Sequence, residues 1–239
     1  MTELLYQTDG YLQEFEAKVL SVLPEERAVV LDRTAFYPGG GGQPCDLGSL
    51  NVGELIYSVD KVKKQGEDVL HFLGGTTPLP SAGSASRGTL DWARRHKLMR
   101  THTALHVLCG TVFRDYGAQV TGGDMEPLKG RMDFEFETMR GDLVREIEMA
   151  VNKEVAAARD IRVKILPREE AFQIPDLIRT KINLLPEGIA QVRTVEIVGL
   201  DLQADGGTHV RNTNEVGMIR VVDYKSKGAI NKRIYIEVE

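Results

Sequence analysis

The chain has 239 residues, 42% of them hydrophobic and 27% charged, which is the composition of a globular protein able to bury a core without covalent staples. No apolar run approaches the roughly 20 residues that span a bilayer. Two cysteines, Cys45 and Cys109, exclude a disulfide scaffold, and the net charge of −5 argues against a protein held on nucleic acid by bulk charge alone.

The first fifteen residues carry Glu3, Asp9 and Glu14 and no base, unlike a targeting leader, so the expected compartment is the reducing cytoplasm. Short strands are predicted at Ala17–Leu20, Ala28–Leu31, Leu55–Val59 and Val69–Leu73, with a last one ending near Leu90 after a Gly/Ser/Pro/Thr-rich stretch. Closely spaced strands without helical patterns point to a small barrel or sandwich. Within them stands Phe36-Tyr37-Pro38 followed by Gly39 to Gly42, Gln43 and Pro44. Four consecutive glycines do not stabilise a regular element; they let backbone N–H groups approach a ligand, and the flanking aromatics and prolines stiffen both sides. No Gly-Lys-[Ser/Thr] follows, so this is not a nucleotide-binding P-loop, and no nucleotide cofactor is expected.

The pattern changes at Asp91, a predicted N-cap for a helix reaching about Gly110. Arg94, Arg95, Lys97 and Arg100 make its first turns basic and are candidate contacts for RNA phosphates. A second helix is predicted at Asp142–Arg159, and strands at Arg162–Leu166, Gln191–Val198, Met218–Val222 and Arg233–Val238, with Pro175 and Pro186 between. The expected organisation is a barrel at 1–90 and an α+β domain at 91–239.

Five histidines are present, and two form His102-Thr-Ala-Leu-His106 on the first predicted helix. Spacing of four puts both imidazoles on one face, one turn apart, where they can share a metal. Far downstream, Asp205-Gly-Gly-Thr-His209 brackets two glycines with a carboxylate and an imidazole, a turn that folds both side chains toward one point. Three imidazoles with one exchangeable position is the arrangement of a catalytic zinc, whereas structural zinc sites are closed and rich in thiolate.

These motifs, with Thr34-Ala-Phe-Tyr-Pro before the glycine run, Asp91-Trp-Ala-Arg-Arg-His96 and Lys232-Arg-Ile234, resemble the freestanding alanyl-tRNA editing proteins of the AlaX family, medium-length type. The resemblance extends from about Leu5 onward and includes the editing domain of alanyl-tRNA synthetase. It implies a small N-terminal β-barrel followed by an α+β editing domain. It also implies hydrolysis of the ester joining serine, and in some cases glycine, to tRNA(Ala), read at its acceptor end. One Zn2+ per chain is implied at His102, His106 and His209. The family's fourth position is commonly cysteine in Cys-x-x-x-His; here it is Asp205, a harder ligand, either bound directly or supporting whatever occupies the fourth position. Gln43 and the amides of Gly41 and Gly42 are candidates for positioning water or stabilising the oxyanion, and Thr34 for bonding the seryl hydroxyl. The metal's part, acidifying water or anchoring substrate, is open at this level. Two rivals are a non-catalytic zinc-containing RNA-binding module and an unrelated metal hydrolase of small esters. Oligomeric state is not legible.

Overall fold

The computed structural model describes residues 1–178 and 188–239; Pro186 lies outside the described residues. The chain divides into two compact units, Met1–His96 and Lys97–Glu239.

The first unit opens with a short parallel ladder of β1 (Glu3–Leu4) and β4 (Arg33–Thr34). Its body is a closed antiparallel barrel of six strands: β2 (Glu14–Leu23), β3 (Ala28–Leu31), β5 (Gly48–Val52), β6 (Leu55–Gln65), β7 (Asp68–Leu73) and β8 (Ala85–Leu90), in spatial order β2-β3-β7-β6-β5-β8. Closure follows from the sequence pattern. Inward Phe15, Val19, Val29, Leu31, Leu50, Tyr57, Val59, Val62, Val69 and Leu90 fill the interior together with Phe36, and a closed sheet leaves no unpaired edge.

The predicted N-cap is present: Asp91 Oδ1 accepts the Arg94 N–H at 3.0 Å and starts α1 (Trp92–Tyr116). Arg95, in the first unit, is anchored in the barrel. Its side chain is fully buried, and its Nε donates to both carboxylate oxygens of Asp46 at 3.0 Å. Nη2 reaches Ala35 O at 2.6 Å and Asp46 Oδ2, while Nη1 reaches Gly10 O at 2.8 Å. The helix also continues past Gly110, where an end was expected.

The second unit has an antiparallel sheet in the order β14-β15-β10-β9, built from β9 (Val120–Glu126), β10 (Lys129–Glu135), β14 (Ile219–Ser226) and β15 (Asn231–Val238). Helix α2 (Gly141–Ala156) ends earlier than Arg159 and is stitched to β14 by Asn152, which accepts from Ile219 N at 2.9 Å and donates to Ile219 O at 2.8 Å. A second sheet, in the order β11-β12-β13, joins β11 (Ile161–Pro167), β12 (Gln191–Ile197) and β13 (Asp201–Ala204). The stretch of α1 from 101 to 112 is buried on all sides, an interior helix and not a surface one. The fold is therefore α+β behind an N-terminal barrel, as the sequence implies. No helix among the described residues is long and apolar enough to cross a membrane.

Candidate metal centre

α1 supplies two of the four converging side chains, and the turn after β13 supplies the other two. His102 and His106 lie one helical turn apart with ring centroids 5.0 Å from each other. His209 stacks on His102 at 4.3 Å and meets His106 edge-on at 4.6 Å. Asp205 closes the group: its Oδ2 is 3.0 Å from His209 Nε2 and its Oδ1 is 3.6 Å from His102 Nε2. One donor atom from each of the four residues lies within 4.8 Å of every other. The turn is held by its own carboxylate, which accepts the Gly207 N–H at 2.8 Å.

Burial sets the charge states. It pulls His209 down to about 4 and His102 well below the ordinary histidine range, so both rings are neutral near pH 7 and carry lone pairs available to a cation. Burial alone would raise Asp205, but His102, His209 and His106 outweigh it and hold the carboxyl well below its usual range. His106 is also opposed by burial, yet Asp201 and Asp205 raise it. Two neutral imidazoles, a third beside them and an ionised carboxylate, all facing one point, are a donor set that fits a divalent transition metal.

Three residues not anticipated from sequence surround this group. Arg193 donates from Nη1 to Asp205 O at 2.9 Å and stands 3.7 Å from its carboxylate. Thr103 Oγ1 lies 3.2 Å from His209 Nδ1 and accepts the Val210 N–H at 3.3 Å. Asp201 Oδ2 lies 3.4 Å from His106 Nδ1. The signal for Asp201 was present: on an extended segment Asp201, Gln203 and Asp205 share one face.

The other predicted site residues are placed as follows. Within the barrel unit, Gly39 to Gly42 all have positive φ, at +84°, +132°, +56° and +87°. Gly40 and Gln43 exchange backbone hydrogen bonds at 3.0 and 2.9 Å, and Tyr37 donates its hydroxyl to Gly40 O at 3.0 Å, so the run is a pinned turn. Gly41 and Gly42 form its tip, and Gln43 is 2% exposed. Thr34, expected to face a seryl hydroxyl, is fully buried inside the unit. His71 Nδ1 faces Val29 O at 3.3 Å and so carries the ring proton, which leaves Nε2 to accept the Thr34 hydroxyl at 2.8 Å. The same oxygen accepts Phe36 N–H at 3.1 Å. The hydroxyl thus holds two of the barrel's own groups and keeps one further acceptor lone pair. Arg95, expected to meet RNA phosphate, is instead enclosed by Asp46 and backbone carbonyls with no exposed surface. Arg100 donates to Val216 O at 2.9 Å and Glu239 O at 2.6 Å. Lys97 is exposed, and Arg94 is half-buried.

Two family models match the sequence. Residues 192–235 fit the threonyl and alanyl tRNA synthetase second additional domain, and residues 8–94 fit class II (A) tRNA synthetases. Over 244 residues the chain is 39% identical to the alanyl-tRNA editing protein AlaX-M of Saccharolobus solfataricus, covering 100% of both chains. The chain belongs to the AlaX-M family of alanyl-tRNA editing proteins. The AlaX-M protein of Methanosarcina acetivorans is 38% identical over 241 residues, 98% of each chain. The alanine–tRNA ligase of Ignicoccus hospitalis is 37% identical over 227 residues, which are 92% of this chain and 24% of that ligase. AlaX-M membership thus spans both units, and the four-residue cluster sits in the half that carries the synthetase additional domain.

Proposed function

We propose that the chain deacylates mischarged tRNA(Ala), mainly Ser-tRNA(Ala) and also Gly-tRNA(Ala), at a zinc centre held by His102, His106 and His209 with Asp205 at the fourth position. The observation that carries this reading is the convergence of those four side chains in a chain that matches alanyl-tRNA editing proteins over its full length. An aminoacyl ester is already activated, so modest assistance is enough. Zinc, when bound, supplies Lewis-acid polarisation or a lowered pKa for water.

The protein's own residues do the rest. The neutral His102 and His209 offer lone pairs without first shedding protons. Asp205 contributes negative charge, and Arg193 beside it balances part of that charge. Gly41 and Gly42, at the tip of the pinned turn, offer N–H groups suited to an oxyanion, and Gln43 an amide suited to water. Arg94 and Lys97 are the cations we assign to the phosphates of the acceptor end.

The deciding experiment measures hydrolysis of Ser-, Gly- and Ala-charged tRNA(Ala) by the purified chain, with and without chelator, without ATP. Hydrolysis of Ser-tRNA(Ala) that is lost on chelation and regained with zinc supports the reading. Tight tRNA binding without turnover on any of the three would establish the rival RNA-binding module instead.

A further inference from the structure

Resting on the reading of the four-residue cluster as a metal centre, we propose that Asp201 is a positioning residue for it. Its carboxylate holds His106 with Nδ1 turned away and Nε2 toward the metal, and Gly110 is the gap in α1 that lets Asp201 come close enough. The cluster's four donors do not include Asp201. Its side chain is nonetheless fully buried, with Oδ2 3.4 Å from His106 Nδ1 and accepting the Gln203 side-chain amide at 2.6 Å. That amide also stands 3.3 Å from Cys109 Sγ on α1. The same carboxylate oxygen that faces the histidine is thereby held by a second side chain.

The other two histidines show the same polarity. His209 turns Nδ1 to Thr103 Oγ1 and Nε2 to Asp205. His102 presents Nε2 to Asp205. A centre reached by Nε2 from two rings is completed by Nε2 of the third, and an oxygen acceptor behind Nδ1 selects that tautomer.

Gly110 supplies the independent observation. It lies four residues after His106, on the same face of an uninterrupted helix. Glycine inside a helix is less stable than alanine, so its presence calls for a reason. A Cβ at this position would lie 2.8 Å from Asp201 Cβ, 3.1 Å from Leu200 Cγ and 3.2 Å from Leu200 O. Any other residue at 110 pushes the start of β13 off the helix and withdraws the carboxylate from His106.

The test titrates metal-free protein with Zn2+ against a chromophoric chelator and records the visible absorption of the Co2+ form. Asp201→Asn keeps the shape and removes the charge; Gly110→Ala keeps the carboxylate and displaces it. Both are expected to weaken zinc about 10–100-fold and to alter the Co2+ bands, with His106→Ala weakening it further. Wild-type affinity and unchanged bands in Asp201→Asn would overturn the proposal while leaving the metal centre standing. A wild-type chain that binds no metal would sink the metal reading itself, and this proposal with it. Should either variant fail to fold, long-range proton–nitrogen NMR on the wild-type metal-free chain decides. Recorded at a pH high enough for the ring to be neutral, the spectrum is expected to show the single His106 proton on Nδ1, and a neutral ring protonated on Nε2 instead would refute the assignment.

Discussion

Substituting Asp46 by Asn should destabilise the barrel unit selectively. The change removes one negative charge from a pair whose side chains are 0% and 1% exposed, and leaves the Arg95 guanidinium enclosed without a counterion. It also forces an amide N–H₂ against donors, because Asp46 Oδ2 already accepts the Tyr37 N–H at 2.6 Å as well as Arg95. Breaking a buried pair by removing one partner costs about 3–5 kcal/mol, far above the roughly 0–1 kcal/mol of an exposed pair. For a unit of this size each kcal/mol lowers the melting temperature by about 4–8 °C, so the transition should fall by at least about 12 °C. The single tryptophan makes the assay local. Trp92 lies between Tyr11 and His96, 5.5 Å from each ring, all within this unit, so its fluorescence in urea reports the barrel. The double variant Asp46→Leu/Arg95→Met removes both charges and should be less destabilised than Asp46→Asn. A cost below about 1 kcal/mol for Asp46→Asn, or a double variant at the sum of its singles, would refute the argument that an uncompensated charge dominates.

Four further outcomes follow from the same geometry. Burial pulls His71 down to about 4, below the ordinary 6.5, so the unfolded chain binds the extra proton first. Stability of the barrel unit should fall as pH drops from 6.5 toward 4, by about 2 kcal/mol at pH 5, and His71→Gln should remove that slope in urea titrations followed at Trp92. Thr34→Val strips partners from His71 Nε2 and Phe36 N–H, costing about 1–3 kcal/mol; kcat/KM on Ser- and Ala-tRNA(Ala) should fall by the same factor, and a changed ratio would restore a substrate contact. Asp205→Cys should tighten zinc, since thiolate is the softer ligand, whereas an unchanged dissociation constant would put Asp205 outside the metal's coordination. Arg94→Glu with Lys97→Glu should weaken tRNA binding and flatten its salt dependence; unaltered affinity and slope would move the RNA elsewhere on the protein.

Much of the centre was legible because its information is local. Two short motifs, each folding its own pair of side chains onto one face or into one turn, name all four donors. What surrounds them was not legible, since it depends on pairings distant in sequence. Gly110 reads as a helix end, as glycine commonly is, until the approach of Asp201 supplies another reason for it. Arg95 stands among exposed-looking bases, and only the closed barrel brings Asp46 against it. Strands β9 and β10 were missed because Thr-Gly-Gly-Asp-Met-Glu and Lys-Gly-Arg-Met-Asp-Phe-Glu are rich in glycine and charge. Their pairing with each other and with β15 overrides a weak local preference.

The place of β15 between β14 and β10 has a kinetic consequence. The Asp133–Arg233 ion pair that spans the β10–β15 ladder joins residues 100 positions apart. Contacts of such separation form late, because the intervening chain must be ordered before the ladder repays its closure entropy. Until β15 arrives, the β10 edge of the β9–β10 hairpin is unpaired, and Met132 and Phe134 lack their native cross-strand neighbours Ile234 and Lys232. During refolding at high concentration, that edge is where one copy of the chain would recruit another, and its capture by β15 is the step that slow dilution protects.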